Sequence, residues 1–95
     1  MASTKEFLNY VLEQASNPNL TYRNMMGGYL LYINGTIIGG IYADRLLVKM
    51  VENNKKYNME EVVPYEGSKK LMYYVTELDN RELLNEILED TYEGL

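Results

Sequence analysis

Three of the chain's nine basic residues fall within one strand-forming stretch, residues 22–50, and they could hold an anion. These residues are Arg23, Arg45 and Lys49. Guanidinium and ammonium groups bind phosphate and carboxylate oxygens through charge-assisted hydrogen bonds. The sequence therefore allows a small-anion site or an enzymatic site on these three side chains, provided that the fold brings them to one pocket.

Other catalytic chemistry has little support in the composition. The chain has no histidine and no cysteine, so it lacks the commonest general base, the usual metal ligands and any disulfide. Ser68 precedes Lys69 and Lys70, but adjacency in sequence does not create the geometry of a serine–lysine pair. The carboxylates of the last segment recur at helical spacing, which is typical of a solvated helix face. We predict no catalytic residue, no metal and no cofactor.

Charge and length limit the classes of partner. Ninety-five residues predict one domain over 1–95. Residues 1–51 carry four basic and three acidic groups, whereas residues 52–95 carry five basic and eleven acidic groups, giving +1 and −6. The acidic second half opposes direct binding to nucleic acid. No apolar run reaches the roughly 18 residues that span a bilayer. We therefore expect a complete, cytoplasmic chain with no membrane segment.

The elements that would position these side chains form a simple pattern. Ser3 with Glu6, and Asp79 with Glu82, fit capping boxes and predict a helix at each end of the chain. A short polar segment, Glu52–Tyr57, can form one or two helical turns. Aromatic and β-branched runs between the helices predict strands at Tyr29–Ile33, Thr36–Tyr42, Arg45–Met50 and Leu71–Thr76. Leu20–Met26 can be a first short strand or an extended lead-in, so that the meander has three or four strands. The fold class is therefore two-layer α+β, with both helices packed on a predominantly antiparallel sheet, a meander plus a later strand.

Turn lengths predict which side chains share a face of that sheet. Two-residue turns at Asn34-Gly35 and Ala43-Asp44 place Leu31 opposite Ile38 and Tyr29 opposite Gly40. The predicted core face consists of Leu30, Tyr32, Ile37, Gly39, Ile41, Leu46, Val48 and Met50. The second face is unusually apolar for a solvated surface, and its candidate interaction residues are Tyr29, Leu31, Ile38, Tyr42, Arg45, Leu47 and Lys49. The open alternative is that a helix, or the 52–67 connection, covers part of this face.

The glycine pair within the third strand has two readings. Gly39 and Gly40 can mark a bulge, or give Tyr29 room to lie over the bare backbone of Gly40. They can also mark a close approach by a ligand. We favour the structural explanation, since neither glycine belongs to a phosphate-binding pattern that opens a helix.

An ordered set of short motifs resembles a known family. The chain is similar to the N-terminal domain of the TfoX (Sxy) competence-regulator family in Arg23-Asn24-Met25-Met26-Gly27-Gly28-Tyr29, Leu31-Tyr32, Asn34-Gly35, Gly39-Gly40, Asp44-Arg45-Leu46 and Val48-Lys49. Met26 stands where that family usually has an aromatic residue. The resemblance implies helices on a mainly antiparallel sheet. It also implies a link to transcriptional control of competence genes, in which full-length members act with a second, C-terminal domain. The family supplies no catalytic residue to carry over.

These observations lead to one preferred function and two alternatives. The preferred function is a non-enzymatic regulatory or interaction module that binds a protein partner, or its own copy, through the second sheet face. The first alternative is a small-anion-binding or enzymatic domain that uses Arg23, Arg45 and Lys49. The second alternative is a transcription-associated regulator that contacts nucleic acid.

Overall fold

Two helices pack on one side of a six-stranded antiparallel sheet. The computed structural model describes residues 3–95. The strand order is β1-β2-β3-β4-β6-β5, so the meander continues into β6 and the short β5 forms the far edge. This arrangement confirms the predicted two-layer α+β fold and adds a short strand, β5, within the 52–67 connection. The elements in chain order are α1 (Lys5–Ala15), β1 (Leu20–Met25), β2 (Gly28–Ile33), β3 (Thr36–Ile41), β4 (Leu46–Val48), a 3-10 helix (Glu52–Tyr57), β5 (Glu60–Val62), β6 (Met72–Val75) and α2 (Arg81–Glu93).

Helix α1 begins one residue later than the capping-box pattern predicts. The side chain of Thr4, and not that of Ser3, accepts the hydrogen bond from the Phe7 backbone N–H, at 3.1 Å. The Ser3 hydroxyl instead donates to the Ile41 carbonyl, at 3.3 Å. Consecutive serine and threonine offer two equivalent caps. The contact of Ser3 with the sheet selects the second one.

Helix α2 shows the same displacement. Asn80 caps it by accepting a hydrogen bond from the Leu83 N–H at 3.1 Å, where the sequence predicted Asp79. The Asp79 carboxylate instead accepts a hydrogen bond from the Tyr10 hydroxyl of α1. In both helices a tertiary contact takes the first capping side chain and leaves the next residue to cap the helix.

Both predicted two-residue turns are confirmed. Asn34 and Gly35 adopt φ values of 50° and 80°, as the type I′ hairpin requires. Ala43 and Asp44 also have positive φ, 53° and 56°, although neither is glycine. Left-handed backbone costs such residues roughly 1 kcal/mol each. The Asp44 carboxylate offsets part of this cost by accepting a hydrogen bond from the backbone N–H of Thr4, at 2.7 Å.

A bulge in β3 overturns the predicted pairing between β2 and β3. Next to the turn, Ile33 lies opposite Thr36 as expected. The register then shifts, so that Leu31 lies opposite Gly39 and Tyr29 opposite Ile41. The predicted pairs of Leu31 with Ile38 and of Tyr29 with Gly40 are therefore wrong. The pairing of β3 with β4 follows the prediction, with Gly40 opposite Leu47.

The shift exchanges the two faces of β2. Leu31 and Ile38, predicted on the exposed face, are fully buried under the helices. Leu30, Tyr32 and Ile37, predicted in the core, lie on the opposite face and remain half-exposed. The residues of the meander beyond the bulge stay where the sequence placed them. The core cluster contains Leu8, Val11, Ala15, Leu31, Ile33, Ile38, Ile41, Leu46, Val48, Tyr73, Val75, Leu84, Ile87 and Leu88.

The 3-10 helix is attached to α2 through polar contacts. The side-chain amide of the buried Asn54 donates to the Thr91 hydroxyl at 2.9 Å and to the Lys49 carbonyl at 2.8 Å. The Tyr57 hydroxyl donates to the Asp90 carboxylate. Burial, together with that hydrogen bond, raises the pKa of Tyr57 to about 12.

Adjacent isoleucines provide a direct test of the bulge. We expect Ile38→Ala to lower the free energy of unfolding by about 2–5 kcal/mol, because it leaves a cavity in the core. Ile37→Ala is the matched control, and we expect less than half of that loss because Ile37 is half-exposed on the opposite face. Urea unfolding of both variants measures the difference. A larger loss for Ile37→Ala would restore the register predicted from the turns.

The Tyr57–Asp90 contact predicts how the stability of the domain changes at acidic pH. The Tyr57 hydroxyl hydrogen bond, and then Lys56, hold the pKa of Asp90 below its ordinary value. A carboxyl group whose pKa is lower in the folded than in the unfolded state stabilises the fold at pH values above its unfolded-state pKa. This stabilisation is lost as the pH falls through the lowered, folded-state pKa. We expect Tyr57→Phe to raise the pKa of Asp90 and to reduce the loss of folding stability that accompanies acidification. Carboxyl-carbon NMR titration measures the pKa, with Lys56→Met as a control of smaller effect. An unchanged Asp90 titration in Tyr57→Phe would contradict this expectation.

Candidate functional site

The sheet face that points away from the helices, here called the open face, carries an apolar row. Strand pairing aligns Arg23, Leu30, Gly40, Leu47 and Tyr74 across five strands, and opposed residues point to the same side. Leu30 and Tyr74 are half-exposed, whereas Leu47 is fully buried although it lies outside the core cluster. Something other than a helix must therefore cover Leu47.

The cover comes partly from residues 63–71, here called the return loop. Val62 pairs with Met72 at the end of the sheet remote from the β3–β4 turn. Yet the Arg45 guanidinium, next to that turn, donates from Nη2 to the Pro64 carbonyl at 3.0 Å. The return loop must therefore fold back along the open face between these two ends. The sequence analysis left open that the 52–67 connection covers part of this face. In the structure, the return loop, which begins within that connection, does so.

Arg45 fastens the return loop to the sheet. Its Nε donates to the Tyr42 carbonyl at 3.2 Å, and its Nη2 lies 3.5 Å from the Val63 carbonyl in addition to the Pro64 contact. These three carbonyl oxygens accept from Nε and Nη2, so that more than half of the five guanidinium N–H donors are used within the chain. Arg45 thus acts mainly as a clamp between the β3–β4 turn and the return loop.

Tyr42 covers the bare backbone of Gly40. A methyl group added to Gly40 would lie 2.9 Å from the Tyr42 ring and 2.5 Å from the Tyr29 carbonyl. The predicted contact of an aromatic ring over glycine is therefore present, but the ring comes from Tyr42. Tyr29 was the wrong residue because the bulge turns its side chain toward the helices, where it packs against the core.

A groove of about 780 Å³ opens where three connections meet at one end of the sheet. This volume is within the range of small-ligand and side-chain pockets. Its rim includes Met26, 98% exposed, and Tyr65, 61% exposed. Exposed methionine and tyrosine are common on surfaces that bind partners. The groove is lined by Met25, Met26, Gly27, Gly28, Tyr42, Ala43, Arg45, Pro64, Tyr65 and Glu66.

One side of the groove is formed by two aromatic rings, those of Tyr42 and Tyr65. The Tyr42 and Tyr65 ring centroids are 6.4 Å apart, with the rings inclined by 41°. Burial, and then the neighbouring Tyr65, raise the pKa of Tyr42. The Tyr42 hydroxyl therefore stays protonated across the physiological range. Arg45 and Glu66 contribute one charge of each sign to the lining.

The seven predicted surface residues separate into four locations. Tyr42 and Arg45 line the groove, and Lys49 is exposed just after β4. Leu47 lies on the open face under cover, while Tyr29, Leu31 and Ile38 belong to the helix side. The sequence missed the groove residues Met25, Met26 and Tyr65. The Met-Met-Gly-Gly turn was visible as a motif, but nothing in the sequence placed Tyr65 beside it.

The three cations of the meander do not converge. Arg23 on β1 is three strand spacings from the β4 side, which is roughly 14 Å at about 4.8 Å per strand. Lys49 lies four residues beyond Arg45, roughly 13 Å along the chain. Only Arg45 lines the groove, and its donors are largely occupied. Within residues 3–95, no group of three acidic side chains is arranged to hold a metal ion.

The fold and the groove define a class: a small two-layer α+β domain with a shallow apolar groove at the end of its sheet. Neither helix in the described residues 3–95 has the length and apolar character needed to cross a bilayer. Residues 13–94 match the TfoX N-terminal domain, and the chain belongs to that family. The match confirms the resemblance in the motifs and begins within α1. No match was found among curated proteins or solved structures.

The clamp role of Arg45 predicts a local loss of order. We expect Arg45→Met to lower the free energy of unfolding by about 1–3 kcal/mol, since three carbonyls lose a charged donor. Amide exchange in residues 63–71 should accelerate more than exchange in β2 or β3. Arg23→Met is the matched control because Arg23 is exposed, and we expect a change within about 0.5 kcal/mol. Equal effects of the two substitutions would remove the clamp role.

Proposed function

We propose that this chain is a non-enzymatic regulatory module that binds a protein partner through the groove and the adjoining open face. The observation that carries the proposal is the exposure of Met26 and Tyr65 at the rim of a groove whose walls are held in place. Large apolar side chains in water favour association, at roughly 25 cal/mol for each Å² buried. Arg45 fixes one wall, so that little ordering cost would remain for binding.

The chemistry of the lining supports an apolar or aromatic side chain as the group that enters. Methionine thioethers adapt to varied shapes and make favourable contacts with aromatic rings. The Tyr42 and Tyr65 rings offer such contacts beside Met25 and Met26. Arg45 and Glu66 at the same groove suit polar groups that flank the entering side chain.

A protein partner agrees better with the charges than a nucleic acid does. The chain carries a net charge of −5, and Glu66 lies on the groove itself. A phosphate backbone would approach a chain of net negative charge and would find Arg45 as the one cation in the groove lining. Members of the TfoX family act in transcriptional control of competence genes. For this chain we propose a regulatory contact with protein within such a process.

Site-specific photo-crosslinking tests the proposal in cells. Benzoylphenylalanine at position 65 keeps an aromatic ring at the groove, and the same residue at position 10 of α1 is the matched control. Tyr65 and Tyr10 are both exposed tyrosines, and only Tyr65 lines the groove. We expect discrete protein adducts from position 65 that position 10 does not give. Met26→Ser should reduce their yield by about fivefold or more, as for a residue at the centre of an interface.

The outcomes separate the possible partners. An adduct with twice the mass of the chain identifies a second copy, and sedimentation of the purified protein should then show a dimer that Met26→Ser dissociates. Identical products from positions 65 and 10, or none from position 65, would sink the proposal. Salt-dependent retention of the wild type on DNA or RNA, lost on reversing a basic residue such as Arg23, would replace it with the nucleic-acid alternative.

A further inference from the structure

Within the described residues 3–95, the outer edge of β1 carries none of the features that protect a sheet edge, in contrast to the other edge of the sheet. Strand β5 has three residues, includes Glu60 and Glu61, and is followed closely by Pro64. Short length, charge and proline are the devices that block an edge against further strand pairing. Strand β1 has six residues, Leu20–Met25, without proline or a bulge, and most of them are exposed.

The hydrogen-bond pattern shows which backbone groups of β1 face outward. The Asn34 N–H donates to the Asn19 carbonyl at 3.2 Å, which makes Asn19 and Asn34 a hydrogen-bonded pair. Such pairs alternate along antiparallel strands, so Thr21, Arg23 and Met25 bond to β2. The N–H and C=O groups of Tyr22 and Asn24 therefore point away from the sheet. They form a ready template for one more strand.

A small hollow lies beside this edge. It has a volume of about 320 Å³ and lies between α1, which contributes Leu12, and β1. An added strand would send alternate side chains toward the helix side, where the hollow could receive one of them. Backbone pairing combined with a side-chain pocket is the recognised basis of strand addition. The lining residues are Leu12, Asn17, Leu20, Thr21 and Tyr22, and none of them is charged.

The charges around the edge indicate the composition of the added strand. Arg23 is exposed on the open-face side of β1. On the helix side, Lys5 Nζ lies 3.4 Å from the Tyr22 hydroxyl and 5.6 Å from the centre of its ring. The edge is thus positive on both faces although the chain as a whole carries −5. An acidic segment complements it, whereas the same edge of a second copy of the chain would bring another Arg23 and another Lys5 to the same place.

We propose that the free edge of β1 binds an extended acidic segment of a partner protein as a seventh strand. One apolar side chain of that segment occupies the hollow beside Leu12, and flanking carboxylates face Arg23 and Lys5. This site is distinct from the groove, and it does not depend on the function proposed above.

Hydrogen exchange read by NMR tests the proposal with a defined probe. The probe is a heptapeptide of alternating glutamate and leucine, blocked at both ends. On its binding we expect the Tyr22 and Asn24 amides to exchange about tenfold more slowly or better, because they gain partners. The amides of Thr21 and Arg23 should change little, since β2 already binds them. This alternation is a signature that loose adsorption would not produce.

Matched probes and variants isolate each contact. The same peptide with lysine in place of glutamate should bind the wild type at least about tenfold more weakly. Arg23→Glu, an exposed substitution that leaves the core intact, should weaken the acidic peptide and strengthen the basic one. The acidic peptide with N-methylated amides should not bind, because it keeps the charge but loses the backbone donors. Groove variants at Met26 should leave the peptide's affinity unchanged, which separates this site from the groove.

Three results would overturn the inference. Millimolar acidic peptide could leave the Tyr22 and Asn24 amides unprotected. Protection could spread equally to all amides of β1, which would indicate general stabilisation. Protection could also rise with protein concentration in the absence of peptide, which would assign the edge to a second copy of the chain.

Discussion

The close approach of β3 to β4 at Gly39 is the constraint on which the layout of the sheet depends. A methyl group at this position would lie 2.1 Å from the Leu47 carbonyl oxygen, so no larger residue fits without moving the backbone. This contact coincides with the extra residue, Ile38, in the ladder between β2 and β3. One added residue reverses which side chains of β2 meet the helices. Leu31 thereby joins the core, and Leu30 is left on the open face.

The same inversion sets the character of the open face. Its apolar residues would be costly if water covered all of them, and the protein limits the exposure with the return loop instead of a third layer. Arg45 makes that arrangement possible because its guanidinium satisfies carbonyls of an irregular segment that has no strand partner there. The cover is incomplete, and the groove is the remaining gap. The Arg45 contacts that hold the return loop in place therefore also form part of the groove wall.

Much of the fold could be predicted because its signals are local. Periodicity located both helices, and Asn34-Gly35 located the hairpin without reference to any distant residue. The capping residues were displaced by one position because Ser3 and Asp79 make tertiary contacts that no local pattern contains. The predicted pairing of β2 with β3 was wrong for a related reason. Gly39-Gly40 suggested a bulge, but no local signal shows at which position of β3 the extra residue lies.

The candidate site was less accessible to prediction than the fold. Tyr42 and Arg45 were chosen for a face defined by an incorrect register, yet they do line the groove, since the β3–β4 pairing beyond the bulge was right. Tyr65 could not be placed because the path of the return loop depends on the Arg45 contacts. Whether these surfaces bind a partner stays a prediction.

The attachment of Ser3 has a practical consequence for anyone handling this domain. The Ser3 N–H donates to the Gly27 carbonyl at 2.7 Å, and Gly27 belongs to the lining of the groove. An affinity tag or fusion joined directly to Ser3 would thus begin beside the groove. Gly94, at the other terminus, packs against Val51, beyond the end of β4 remote from the β3–β4 turn. Labels and surface-immobilisation tags therefore belong at the carboxyl end, where they leave the groove accessible.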